Sequence, residues 1–139
     1  MIVLDTNVVS ELMRHTPDEG VAGWAAKQPA AALYTTSVTQ AEILYGIERL
    51  PVGKRRAALE GAAQAMFNED FAGRILGFDS HAALAYAGIA AMRERAGRPI
   101  SQFDAQIAAI VAAARATLAT RDVDDYQGCG VKLIDPWND

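Results

Sequence analysis

Residues 2–7 read IVLDTN, a short apolar run followed by residues that favour turns and helix caps. This pattern predicts a buried strand, Ile2–Leu4, that leads into a helix after Asn7. Runs of β-branched and aromatic residues predict four more strands: Leu33–Thr36, Arg74–Phe78, Thr117–Thr120 and Val131–Ile134. The last of them is expected at an edge of the sheet.

Five helical patterns lie between these strands: Asp18–Lys27, Val38–Leu50, Gly53–Phe67, Ser80–Ala96 and Phe103–Ala116. Many of them are rich in alanine, the strongest helix former. Because strands and helices alternate, we expect an α/β fold with a mainly parallel central sheet flanked by helices. The 139 residues show no internal repeat and no interdomain linker, so a single domain over residues 1–139 is expected.

The composition limits the classes of function. A formal net charge of −4 argues against a protein that holds nucleic acid by a strongly positive surface. If RNA is the substrate, local basic patches and metal ions must offset this acidity. The single cysteine, Cys129, excludes an internal disulfide, and the start of the chain lacks the pattern of a signal peptide. We therefore expect a soluble, cytoplasmic protein with no membrane partner.

Four acidic residues occupy positions at which an α/β fold gathers side chains. Asp5 and Asp122 follow the first and fourth predicted strands, at the carboxyl ends where ligands bind in open α/β sheets. Glu42 and Asp104 lie in the first turns of helices, Glu42 soon after the second strand. All four can therefore converge on one rim of the sheet, where they would repel one another unless cations bind.

Such a cluster suits a hard divalent cation. Mg²⁺ and Mn²⁺ prefer oxygen ligands, and Mg²⁺ uses a few carboxylates together with water and substrate phosphate. A bound ion lowers the pKa of a water molecule and stabilises a leaving oxygen, which is what hydrolysis of a phosphodiester bond requires. The acids thus predict a metal-dependent nuclease with Mg²⁺ as cofactor, for which Mn²⁺ can substitute.

Each acid also has a simpler interpretation. Asp5 fits a helix N-cap, Asp122 fits a solvated loop residue, and the stretches Thr39–Glu42 and Ser101–Asp104 both fit a capping box. Taken singly, the capping interpretation is favoured at roughly two to one. The joint placement of all four acids on one predicted rim shifts the balance towards a site, because capping alone would not require it.

At these residues the sequence resembles the PIN-domain family, in particular the VapC-like and FitB-like toxins of bacterial toxin–antitoxin pairs. The resemblance spans essentially the whole chain and is carried by four stretches: VLDTN at 3–7, SVTQAE at 37–42, DAQIA at 104–108 and ATRD at 119–122. It implies that Asp5, Glu42, Asp104 and Asp122 are the catalytic and metal-binding acids, supported by the hydrogen bonds of Thr6, Asn7 and Thr120.

The resemblance has further implications. Members of the family can carry Asn at the fourth position or place the acid slightly later, so Asp124 or Asp125 could share the role of Asp122. A PIN toxin is also expected to be a ribonuclease, to form a homodimer and to bind a cognate antitoxin whose C-terminal segment enters the active site, often with an arginine for the acids. The alternative is a non-catalytic PIN-fold module that binds RNA or protein. Because all four positions are acidic, catalysis is favoured.

Several basic and aromatic residues fit two interpretations each. The two densest basic clusters, Lys54–Arg56 and the group of Arg93, Arg95 and Arg98, either contact RNA phosphates or are simply solvated, and solvation is favoured. Tyr45 either stacks on a base or packs in the core or in a dimer interface, with core or interface favoured.

Overall fold

The computed structural model describes all residues from 1 to 139 and is built on one five-stranded parallel sheet. The strands are β1 (Ile2–Leu4), β2 (Leu33–Thr36), β3 (Ile75–Leu76), β4 (Thr117–Ala119) and β5 (Lys132–Ile134), in the order β3-β2-β1-β4-β5. All four pairings are parallel, and in the centre Ile2 lies opposite both Leu33 and Thr117. The predicted fold class is therefore confirmed, with β5 at an edge.

Six α-helices flank the sheet: α1 (Thr6–Met13), α2 (Glu19–Lys27), α3 (Ser37–Glu48), α4 (Lys54–Ala65), α5 (Ser80–Arg95) and α6 (Gln102–Ala113). Short 3-10 turns cover Ala30–Ala32 and Val123–Tyr126, and a π turn covers Met66–Asp70. No helix has both the length and the apolar character needed to cross a membrane.

Successive residues of the central strands pack into two different cores, one on each face of the sheet. Val3 and Leu118 belong to the core that α5 and α6 cover, whereas Leu4 and Ala119 belong to the core beneath α1 and α4. This alternation follows from the two-residue period of a strand. Because the strands are parallel, their carboxyl ends lie at the same edge of the sheet. The polar residues that follow the strands gather there, which positions the site.

Several predicted boundaries were wrong, for local reasons. The third strand covers only Ile75–Leu76, because the following segment turns so that Asp79 caps α5 through a 2.9 Å hydrogen bond from the Ala82 amide. The last helix ends at Ala113 and not at Ala116, because Arg115 has a φ of +54°, which no helix accommodates. The first helix begins at Thr6, which places Asn7 inside its first turn.

Candidate active site

Asp5 is the most deeply buried acid of the four, with 4% of its surface exposed. Its amide donates to the carbonyl of Ala119, which extends the sheet by one step and holds Asp5 at the end of β1. One carboxylate oxygen accepts from the Thr6 amide and the other from the Thr120 hydroxyl, each at 2.8 Å. Asp5 is thus the N-cap of α1, in agreement with the simpler interpretation, but its second oxygen is committed across the sheet.

Burial raises the pKa of the Asp5 carboxyl from 3.8 to about 6, although hydrogen bonds from Thr120 and Thr6 lower it. The negative charge of Asp104 raises it further, as a smaller cause. The repulsion between acids expected from the sequence is therefore present at Asp5, but it raises the pKa less than burial does.

Asn7 connects the first strand end to the fourth. Its side-chain amide donates to Asp122 at 3.0 Å and more weakly to Thr120 at 3.4 Å, while its carbonyl oxygen accepts from the Arg121 amide. The hydroxyl of Thr120 in turn accepts from the Asp122 amide at 3.0 Å. Asp122 is exposed, as a loop residue would be, yet this network ties it to the site.

Glu42 lies on α3, one turn inside the helix, and its carboxylate accepts a 2.8 Å hydrogen bond from the Thr6 hydroxyl. The Thr6 oxygen also lies 3.0 Å from the Thr39 hydroxyl. Since Thr6 has donated its only proton to Glu42, Thr39 must be the donor of this second bond. The capping-box interpretation of Glu42 is wrong, because α3 begins at Ser37 and Thr36 caps it through the Thr39 amide.

Asp104 lies in the first turn of α6, near enough to Asp5 for its charge to act on that carboxyl. Ser101 caps this helix by accepting from the Asp104 amide at 3.2 Å, in agreement with the sequence motif. The Asp104 side chain does not complete the box, because its carboxylate accepts from the Tyr126 hydroxyl at 3.0 Å. Asp104 is therefore free of any capping role, and its carboxylate is held by a residue from the loop after β4.

Tyr126 stands between two of the acids. Its hydroxyl donates to Asp104 and lies near enough to Asp5 for the charge of that carboxyl to act on it. Burial, reinforced by the negative charges of Asp5 and Asp104, raises the pKa of Tyr126 above its ordinary value. The phenol therefore remains protonated and acts as a donor to Asp104.

Each of the four predicted acids thus accepts a hydrogen bond from a neutral side chain at one rim of the sheet. Thr6, Thr120 and Asn7 link Asp5 to Glu42 and Asp122, and Asp104 lies near enough for its charge to act on Asp5. The two remaining candidates for the fourth acid, Asp124 and Asp125, are exposed in the 3-10 turn after Asp122. Asp125 lines a small cavity of about 210 Å³ together with Asp104 and Ser101. Asp122 therefore lies on the side of the site where it contacts Asn7, whereas Asp125 lies on the opposite side, next to Asp104.

The donor set consists entirely of oxygen atoms, which suits a hard cation. No group of three or more acidic, histidine or cysteine side chains is arranged to surround a metal ion as the side chains stand. Mg²⁺ does not require such a group, because it is held by one or two carboxylates together with water and phosphate oxygens.

A cleft of about 320 Å³ opens beside the acids, between α1, α3 and α4. Thr6 and Glu42 lie in its lining, Arg14 and Arg55 add basic groups, and the rest is partly apolar: Met13, Ile43, Ile47, Leu50 and Leu59. Arg55 is the member of the first basic cluster that faces this cleft, whereas Arg56 pairs with Glu48 and Glu60. The charge near the acids is therefore mixed.

The structure corrects the expectation for Arg93 and excludes one of the alternatives for Tyr45. Arg93 is neither solvated nor available to phosphates, because only 6% of it is exposed and its guanidinium binds backbone carbonyls. Tyr45 is 65% exposed and so does not pack in the core of the chain, while the guanidinium of Arg49 lies 5.7 Å from its ring centre. The exposed ring of Tyr45 is still available for an interface with another chain.

Comparison with known proteins agrees with this geometry. Residues 2–127 match the family described as PIN domain. The chain belongs to the PIN-domain family. It is 38% identical over 137 residues to the VapC ribonuclease Y4jK of Sinorhizobium fredii, covering 99% of this chain and 98% of that protein. It is 36% identical to Toxin FitB of Neisseria gonorrhoeae over the full length of both chains.

Among solved structures, this PIN domain is similar to a chain of the structure described as FitAB bound to an IR36 DNA fragment. The TM-score is 0.92 at 36% sequence identity, and the match covers 99% of this chain and 96% of that chain. The resemblance carried by the sequence motifs is thereby confirmed at the level of family and fold.

Three residues contribute to the site although the sequence did not mark them for it. Thr39 fits a cap in the sequence, yet it lies one turn before Glu42 on the same helical face. Tyr126, four residues after Asp122, carries no signal beyond being aromatic. Arg93 lies far away in sequence, and only the tertiary structure brings it to the loop that carries Tyr126.

Proposed function

We propose that this PIN domain is a metal-dependent ribonuclease, of the endonuclease type, that acts as the toxin of a toxin–antitoxin pair. The observation that carries the proposal is the rim of Asp5, Glu42, Asp104 and Asp122, whose carboxylates are bound to neutral donors and not to basic side chains. Acids without basic partners keep their negative charge available for a cation. The relatives named as a ribonuclease and a toxin support the same activity.

We expect Asp5 and Asp104 to hold a Mg²⁺ or Mn²⁺ ion, with Glu42 and Asp122 contributing through direct or water-mediated contacts. When bound, such an ion lowers the pKa of a water nucleophile and stabilises the leaving oxygen of the phosphodiester. The protein's own groups set the conditions for this chemistry. Above a pH of about 6 the Asp5 carboxyl is ionised, and a cation at the site extends its ionised range to lower pH.

The threonine and asparagine side chains orient the acids. Thr120 and the Thr6 amide fix the two oxygens of Asp5, the Thr6 hydroxyl fixes Glu42, and Asn7 fixes Asp122. Groups that orient metal-binding carboxylates in this way contribute to metal affinity, because they lower the cost of ordering the site. Arg55, at the wall of the adjacent cleft, is placed to contact an RNA phosphate.

A cognate antitoxin is the expected protein partner. The 320 Å³ cleft combines apolar walls with an acidic end at Glu42, which suits an extended segment that carries apolar side chains and an arginine. We also expect a homodimer, because large apolar side chains remain exposed on a single chain: Leu44, Tyr45, Leu84, Met92 and Phe103. Light scattering tests this, and a monomer that persists at all concentrations would contradict it. A toxin that acts on cellular RNA would work in the cytoplasm.

Cleavage of RNA by purified, metal-free protein during titration with Mg²⁺ and Mn²⁺ tests the proposed function. We expect cleavage to appear with the added cation and to stop when a chelator is added in excess. Full cleavage in excess chelator would contradict the metal mechanism. RNA binding without cleavage at any cation concentration would favour the alternative, a non-catalytic PIN module.

A further inference from the structure

Tyr126 is a core residue whose hydroxyl reaches the site. Only 1% of it is exposed, and its ring belongs to the core beneath α5 and α6. The hydroxyl donates to Oδ1 of Asp104 at 3.0 Å and lies within reach of the charge of Asp5. A phenylalanine would fill the same space, so packing alone does not require the hydroxyl at this position.

The loop that carries Tyr126 is held from behind by Arg93 of α5. One guanidinium nitrogen donates to the carbonyls of Asp125 at 2.8 Å and Gln127 at 3.0 Å, the two residues that flank Tyr126 in the chain. The same nitrogen lies 3.3 Å from the sulfur of Cys129, and Nε donates to the carbonyl of Arg98 at 2.8 Å. Arg93 thus binds the backbone on both sides of the tyrosine.

Burial of the Arg93 guanidinium is offset by the hydrogen bonds that it donates to the loop. An arginine stays charged in a protein, and burying a charge is unfavourable unless its donors are satisfied. Arg93 forms no salt bridge to an acid and directs its donors to carbonyls and one thiol. Several carbonyls converge on one rigid, planar group, which fixes the path of the backbone through Asp125–Gln127.

We propose that Tyr126 is a positioning residue for the metal-binding acids and that Arg93 holds the loop in the register that places its hydroxyl on Asp104. The inference rests on the proposed function. The hydrogen bond uses one carboxylate oxygen of Asp104 and leaves the other for a cation. It also restricts rotation of that carboxylate beside Asp5, so that less order has to be imposed when the cation binds.

Tyr126→Phe removes the hydroxyl and keeps the ring. The dissociation constant for Mn²⁺ alone, measured by calorimetry without RNA, is expected to rise about tenfold to a hundredfold, the range typical of groups that orient metal ligands. Tyr86→Phe is the matched control. That ring packs edge-to-face on Phe78, away from the acids, so its Mn²⁺ affinity should equal that of the wild type.

Excess cation gives a readout that a merely structural defect would not share. Raising Mn²⁺ should restore RNA cleavage by Tyr126→Phe close to the wild-type kcat, with KM for RNA unchanged, because only the occupancy of the site has fallen. Wild-type Mn²⁺ affinity in Tyr126→Phe would overturn the inference while leaving the proposed function intact. A wild-type protein that binds no Mn²⁺ would overturn both.

Arg93→Lys supplies a second, independent variant. Lysine keeps the charge but has only one nitrogen on a flexible stem, so it cannot hold the Arg98 carbonyl and the two flanking carbonyls at once in the fixed geometry of the planar guanidinium. We expect weaker Mn²⁺ binding, and little further weakening when Tyr126→Phe is added, because both changes act on one contact. Circular dichroism establishes that the variants are folded. Fully additive losses in the double variant, or wild-type affinity in folded Arg93→Lys, would overturn the role of Arg93.

Discussion

The four acids form two pairs that are held in different ways. On the inner side, Asp5 is buried and Asp104 accepts from a core tyrosine. On the outer side, Glu42 is partly buried, Asp122 is exposed, and both accept from side chains of α1. The inner pair therefore has its position and electrostatics set by the core, whereas the outer pair can exchange its α1 partners for water, cation or substrate. We expect the inner pair to dominate metal binding and the outer pair to adjust it.

The largest difference between the pairs should appear in the pH dependence of stability without metal. The pKa of Asp5 is about 6 in the folded protein and 3.8 when it is fully solvated, so its protonated form favours folding. The contribution of Asp5 to the free energy of unfolding is greatest below pH 4 and decreases as the pH rises through 6. The total change is about 3 kcal/mol, at 1.36 kcal/mol per pKa unit.

Denaturation of wild type and Asp5→Asn from pH 4 to pH 8 measures this effect. The free energy of unfolding of wild type should fall relative to that of the variant as the pH rises. Asp124→Asn, which changes an exposed acid, is the control and should run parallel to wild type. A difference between wild type and Asp5→Asn that stays constant with pH would show that burial of Asp5 does not govern its ionisation.

Glu42→Gln tests the outer pair on α3. Glutamine can still accept the hydrogen bond from Thr6, so the fold should persist while one negative charge leaves the site. We expect kcat/KM for RNA to fall about tenfold to a hundredfold, the range seen for groups around a metal. An unchanged rate would remove Glu42 from the site and leave it as a partner of Thr6 alone.

The fourth acid is decided by a pair of variants. Asp122→Asn should reduce cleavage about tenfold, the lower end of the range for residues that tune a metal site. Asp125→Asn should have a smaller effect, because Asp122 is tied into the Asn7 and Thr120 network and Asp125 is not. Kinetic measurements at saturating Mg²⁺ compare the two. A larger loss in Asp125→Asn would assign the role to the Asp104 side of the site.

The smallest effect concerns the link between α1 and the loop after β4. Asn7→Ala removes the hydrogen bonds to Asp122 and from the Arg121 amide at a partly exposed position. Urea denaturation should show a loss of about 1 kcal/mol, the usual net value of such a bond. Asn138→Ala, which removes one exposed hydrogen bond to Asp135 near the C-terminus, is the control. A loss no larger than in the control would mean that the link does not stabilise the fold.

The sequence predicts the strands and the placement of the acids at strand ends well, because both depend on local patterns. Apolar runs with turn residues behind them place Asp5 and Asp122 at strand ends, and the parallel order of the sheet brings them together. Local patterns failed where distant groups compete. The capping box at Glu42 was wrong because α3 begins at Ser37 and is capped by Thr36, so the Glu42 carboxylate lies inside the helix and accepts from Thr6 of another helix.

Tyr126 and Arg93 make contacts that local sequence patterns did not predict. Nothing near Tyr126 in sequence indicates that its hydroxyl meets Asp104, since that contact joins the loop after β4 to the start of α6. The cluster around Arg93 looks like a solvated basic surface until α5 packs against the loop. The charge pattern therefore shows which residues could contact a phosphate, whereas burial excludes Arg93 from that role.

Asp104→Asn tests the central claim most directly, through the rate of RNA cleavage at saturating Mg²⁺. Ser101 supplies the cap of α6 and asparagine can still accept from Tyr126, so neither contact explains a loss of activity. If the four acids form a metal site, cleavage should fall by more than about a hundredfold, beyond the range for groups that merely orient ligands. Without metal, the variant should be at least as stable as wild type at neutral pH, because a charge beside Asp5 is removed. Cleavage at the wild-type rate by Asp104→Asn would contradict the four-acid site.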